Sequence, residues 1–92
     1  MENSELKRKN FLIKSIQDYI QAIENEINEK KFKSYDDLLL IYKRIEYIEA
    51  YILFSNDIFD ENNESDKELK KELINKLKKL NEELYKRIEI NK

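Results

Sequence analysis

Seven residue types are missing from this chain of 92 residues: glycine, proline, cysteine, histidine, tryptophan, valine and threonine. Each absence removes a class of chemistry. Without cysteine there is no disulfide, no thiolate nucleophile and no cysteine-ligated zinc, and the redox compartment goes unmarked. Without histidine, Ser-His and Cys-His relays are excluded, as are histidine metal sites and an imidazole switch near neutral pH. A chain with no glycine cannot bring its backbone up to a phosphate as a P-loop or a dinucleotide-binding turn does. Its apolar runs fall far short of the ~20 residues that span a bilayer. The opening Met-Glu-Asn-Ser-Glu lacks the basic-then-apolar order of a signal peptide. The expectation is a cytoplasmic protein with no cofactor, no metal and no membrane partner.

What is present points to helices. Charged residues make up 41% of the chain, and with no glycine or proline to interrupt them the Ile, Leu, Lys and Glu segments read as long helices joined by short turns. Thirteen isoleucines would suit strands, but no stretch alternates for long enough and the other β-branched residues are absent. A first helix is expected over about 4–30, capped by Asn3 or Ser4. Its core stripe is Leu6, Ile13, Ile16, Ile20, Ile23 and Ile27, widened by Leu12 and Tyr19, with Lys14, Asp18, Gln21, Asn25 and Asn28 on the solvent side. A break follows at Lys30-Lys31-Phe32-Lys33, and Ser34 opens a second helix over 35–59, with Asp37 three residues on as in a capping box.

The acidic connection Asp60-Glu61-Asn62-Asn63-Glu64 leads to a further capping box, Ser65 to Glu68, and a third helix over 66–90 with its stripe on Leu69, Leu73, Leu77, Leu80, Leu84 and Ile88. Three helices of ~37 Å each and short connections predict an all-α, up-down-up antiparallel three-helix bundle that uses residues 1–92 as one domain. The alternative is fusion of the first two helices into a rod that swaps elements in a dimer. Phe32 on the core side and the Ser34 cap favour the turn.

The second helix carries an apolar surplus. Sixteen of its 25 residues are apolar or tyrosine, more than one buried face requires. Leu38, Ile41, Ile45, Ile48, Ile52 and Phe59 form the core stripe, while Leu40, Tyr47, Tyr51, Phe54 and Ile58 form a second one about 120° away. Either this helix is wedged between both neighbours with its tyrosine hydroxyls wet, or the second stripe is an interface, for a second copy or for a foreign protein. Charge adds to the contrast: residues 1–33 sum to +1, 34–65 to −6 and 66–92 to +3. Asp36, Asp37, Glu46, Glu49, Asp57, Asp60, Glu61 and Glu64 are expected around the stripe, a surface suited to a basic partner such as a nucleic-acid-handling complex. The candidate contact residues are Leu40, Glu46, Tyr47, Tyr51, Phe54, Asp57 and Ile58.

Catalysis has few residues left to use. Glu26-x-x-Glu29 and Glu46-x-x-Glu49 resemble the helical acid pairs of MazG-type nucleotide pyrophosphatases, which implies a magnesium-dependent hydrolase. The second pair lacks the aspartate that ends that family's pattern, and bundle geometry offsets the pairs by about 9 Å along the axis. The segment Asp57–Asp66 lacks the glycine and ligand order of an EF-hand and is expected to attract cations only loosely. On the third helix, Lys67, Lys70, Lys71, Lys76, Lys78, Lys79, Lys86 and Arg87 interleave with Glu68, Glu72, Glu82, Glu83 and Glu89, so a solvated face is expected and no direct nucleic-acid contact.

The function these features lead us to expect is a non-enzymatic protein-binding module. Abundant Asn, Lys, Ile and Tyr are what an AT-rich genome supplies, compatible with bacteria and their phages. Within that setting the expectation is an inhibitor or accessory protein of a phage or mobile element, of the anti-defence kind that anti-CRISPR proteins exemplify. The alternatives are a bacteriocin-immunity or antitoxin-like helical protein, and a structural homo-oligomer.

Overall fold

The computed structural model describes residues 2–29 and 34–90, with side chains at 4–29 and 34–87. These residues form three helices, α1 (Glu2–Glu29), α2 (Tyr35–Phe54) and α3 (Glu64–Ile90), and no strand among the described residues. Each helix packs on both others, as in a three-helix bundle. The expected break at Lys30, Lys31, Phe32 and Lys33 and the Ile88 side chain lie outside the described residues. Among the described residues no helix is long and apolar enough to cross a membrane.

The core follows from the three-four spacing of the apolar residues. Ile16, Ile20, Ile23 and Ile27 of α1 meet Leu38, Ile41, Ile45, Ile48 and Ile52 of α2 and Leu73, Leu77, Leu80 and Leu84 of α3. Leu12, Ile13, Tyr19 and Leu69 pack at its edge. Helical stability in a protein comes mostly from packing of the apolar face, so this shared burial, at about 1.5–3 kcal/mol per large side chain, carries the three helices. Leu6, expected in the stripe, is exposed. Lys9 already stands level with Asp66 in the first turn of α3, so Leu6, nearly a turn further out, has little helix left to pack on.

Polar contacts tie the helices together at several levels. Arg44 of α2 grips both carboxylate oxygens of Glu26 on α1 at 2.9 Å. Arg8 of α1 lies 3.8 Å from Asp57 in the α2–α3 connection, and Lys76 of α3 lies 3.8 Å from Glu24 of α1. The closest charge contact among the described residues links Lys9 of α1 to Asp66 of α3 at 2.6 Å.

α2 begins where the sequence places it and ends early. Ser34 caps it, its hydroxyl accepting from the Asp37 N–H at 3.4 Å, with Asp36 and Asp37 in the first turn where the helix dipole favours anions. The far end is at Phe54, not at residue 59. Ser55 turns its hydroxyl back to the Tyr51 carbonyl, and the N–H groups of Ile58 and Phe59 both donate to the Ser55 carbonyl at 3.2 Å. Ser55-Asn56-Asp57 are residues whose side chains compete with the helical backbone for hydrogen bonds, and here the competition ends the helix. The turn sends Ile58 and Phe59 into the core, at 2% and 1% exposure. Ile58 is thus a core residue and not part of the second stripe.

α3 starts before its expected capping box. Asn63 is the cap: its Oδ1 accepts from the Asp66 N–H at 3.2 Å and its carbonyl accepts from Lys67 at 3.0 Å. Asp66, the third residue of α3, points inward to Lys9. Asn63→Ala should therefore cost about 1 kcal/mol while Ser65→Ala stays near neutral, a difference read from urea midpoints.

Candidate docking surface on α2

At 100° per residue, positions 40, 47, 51 and 54 of α2 fall in one arc of roughly 60°. In the structure Leu40, Tyr47, Tyr51 and Phe54 are 60%, 63%, 38% and 82% exposed. The core closes without them, because Ile41, Ile45, Ile48 and Ile52 fill the buried side of the same helix.

α1 extends this surface. Leu12, Ser15 and Tyr19 join Tyr47, Ile48 and Tyr51 in lining a shallow groove of about 240 Å³. The Tyr19 and Tyr47 rings lie 6.4 Å apart and tilted, a favourable aromatic geometry. One turn before Ser15, whose hydroxyl donates to its carbonyl, Phe11 is exposed. Residues 11, 15 and 19 form a single i, i+4 row, a signal the sequence held but which was hidden because Tyr19 reads as a flank of the core. Arg44, fixed by Glu26, places its guanidinium 5.6 Å from the Tyr19 ring centre. The Glu26 hydrogen bond strengthens its hold on its proton, against the pull of burial.

The acids are distributed differently from the expectation. Asp36 lies along the same arc as Phe54, and exposed Asp57 stands just beyond that end of the stripe, its pairing with Arg8 too open to contribute much. Glu46 does not join them. One residue before Tyr47, and hence about 100° around the helix, it hydrogen-bonds Tyr42 on the flank that faces α3. There the Tyr42 and Tyr85 rings are 6.0 Å apart, and the Glu46 bond, followed by the Tyr85 contact, holds the Tyr42 phenol well above its usual range. Of the seven candidate contact residues, the structure therefore brings Leu40, Tyr47, Tyr51 and Phe54 together, sets Asp57 at their end, turns Glu46 to the other flank and buries Ile58.

The acid pairs considered for magnesium do not converge. Glu26 is occupied by Arg44, and among the described residues no three carboxylates gather closely enough to hold a metal ion. Asp66, part of the acidic segment considered for calcium, faces Lys9. Set against protein-family models, curated proteins and solved structures, the chain matches none.

Proposed function

We propose that this chain is a non-enzymatic protein-binding module, of the inhibitor or accessory kind, that docks on a partner through Leu40, Tyr47, Tyr51 and Phe54. The observation that carries the reading is their joint exposure on one face beside a core that is complete without them. Large amphipathic rings on a rigid helix lose little entropy on binding and are the residues that anchor protein interfaces. Asp57 and Asp60 in the connection beyond Phe54 would steer a basic partner towards that end.

The same reading takes the bundle to be antiparallel, up-down-up. Along α1 and α2 the partners run in opposite order, Arg8 with Asp57, Tyr19 with Tyr47 and Glu26 with Arg44. Along α1 and α3 they run in the same order, Lys9 with Asp66 and Glu24 with Lys76. That order leaves the α2 stripe on the outside of the molecule.

The test is capture from a lysate of the source cells on the immobilised chain, against Leu40→Ser/Tyr47→Ser/Phe54→Ser. The parent should retain a protein that the variant loses, with retention falling as salt rises. Equal capture by both would overturn the reading. Light scattering at two protein concentrations completes it: a dimer that the variant abolishes would make a second copy, and not a foreign protein, the occupant of the stripe.

A further inference from the structure

On the opposite flank of α2, its last turn and α3 enclose a groove of about 580 Å³. Leu53, which is 43% exposed, and Ile74 supply its apolar floor. Its walls are Lys67, Lys70, Lys71 and Lys78, and the one carboxylate among its lining residues is Glu61. The interleaved glutamates of α3 do not reach it, because Lys67, Lys71 and Lys78 share an arc of roughly 40° from which Glu68 and Glu72 are turned away. Lys67 has Glu64 at 3.7 Å, whereas Lys70, Lys71 and Lys78 have no ion-pair partner among the described residues.

We infer that this groove takes an acidic amphipathic helix of a partner protein. One apolar side chain of the guest sits between Leu53 and Ile74, and carboxylates about a turn to either side face the lysines. The lysines span about 16 Å of α3, three turns, the length over which a docked helix presents anchors at i, i+4, i+7 and i+11. The chemistry favours carboxylates on an apolar scaffold over a nucleic acid. No ring lines the groove to stack a base, no arginine offers a fork to a phosphate, and Glu61 opposes a continuous run of phosphates. A second copy is the rival occupant: its α2 stripe is flanked by Asp36 and Asp57 but also by Lys43, which would meet these lysines with like charge. The oligomeric state of the chain decides between the two. The site is separate from the aromatic stripe and does not depend on it.

The test is fluorescence anisotropy with the full chain and a labelled peptide of about five helical turns, carrying Glu and Leu at helical spacing. The controls are the same peptide with Lys in place of Glu and a single-stranded DNA oligonucleotide of matched charge. The acidic peptide should bind saturably at low salt, and Lys70→Gln/Lys71→Gln/Lys78→Gln should weaken it by about tenfold, as three exposed charge contacts warrant. Phe54→Ser should leave it unchanged, which separates this groove from the stripe. The three lysines lie outside the core, so the variant should melt like the parent. Should it not, Leu53→Ser, which removes the floor without touching charge, is expected to weaken binding by a similar factor. Equal binding of the two peptides, undiminished binding to both variants, tighter binding of the oligonucleotide, or a dimer of the chain lost in the lysine variant would each overturn the inference.

Discussion

Asp66→Ala should lower the melting temperature by roughly 8–16 °C, corresponding to about 2 kcal/mol in a domain of this size. The carboxylate is 7% exposed and accepts from Lys9 Nζ at 2.6 Å and from the Asp60 N–H at 3.0 Å. It lies in the first turn of α3, where the helix dipole adds to its stabilisation. One side chain thus joins α1, the α2–α3 connection and α3. Alanine would leave the part-buried Lys9 ammonium without its counter-charge and the Asp60 N–H without its acceptor. Asp66→Asn keeps an acceptor for Asp60 but not the charge, and should fall between alanine and the parent.

The same group makes stability depend on acid. Burial pushes the Asp66 carboxyl up, but the Lys9 hydrogen bond, the Asp60 N–H and the Lys9 charge together outweigh it and hold the group below the usual aspartate range. The folded chain therefore binds this proton more weakly than the unfolded chain. Its contribution is fully present above the ordinary aspartate value of about 3.9 and is lost as pH falls through the lower folded value. Urea titrations across that window should show the stability gap between parent and Asp66→Ala narrowing as the solution is acidified. A gap that stayed constant would mean the carboxylate is not held by Lys9.

The second large effect contrasts two residues four apart. Ile58→Ala should cost about 2–4 kcal/mol, the range for truncating a buried aliphatic side chain, whereas Phe54→Ala should cost less than about 0.5 kcal/mol. In an uninterrupted helix, 54 and 58 would share a face and respond alike. The break at Ser55 separates them, leaving Phe54 in solvent and Ile58 in the core. Similar urea midpoints for the two variants would place the end of α2 elsewhere.

Much of the bundle was legible because burial along a helix repeats every 3.6 residues: Ile16 to Ile27, Leu38 to Ile52 and Leu73 to Leu84 are buried as their spacing implies. Ser34 was legible because a hydroxyl before an acid is a local signal. The end of α2 was not, for a specific reason. Phe59 falls seven residues after Ile52, in phase with a continuing helix, so periodicity masked a turn that only the weak helix formers Ser55, Asn56 and Asp57 announce. Lys9 and Asp66 are 57 residues apart, and nothing local distinguishes Lys9 from Lys7 or Asp66 from the acids before it. Within the candidate surface, Tyr47 and Phe54 were legible as a surplus beyond one face. The placing of Glu46 was misread because net charge along a segment ignores the 100° that separates neighbours on a helix. The lysine groove could have been found on a helical wheel, but its floor depends on where α2 stops, which the sequence hid.

A stripe that is surplus to the fold can be removed without destabilising the chain, and thermal unfolding of Leu40→Ser/Tyr47→Ser/Phe54→Ser is the measurement that shows it. Helix content should be unchanged and the combined loss should stay below about 1.5 kcal/mol, most of it from the Tyr19–Tyr47 ring contact. A loss of about 6 kcal/mol or more, the sum expected for three core truncations, would contradict this and return the stripe to the core.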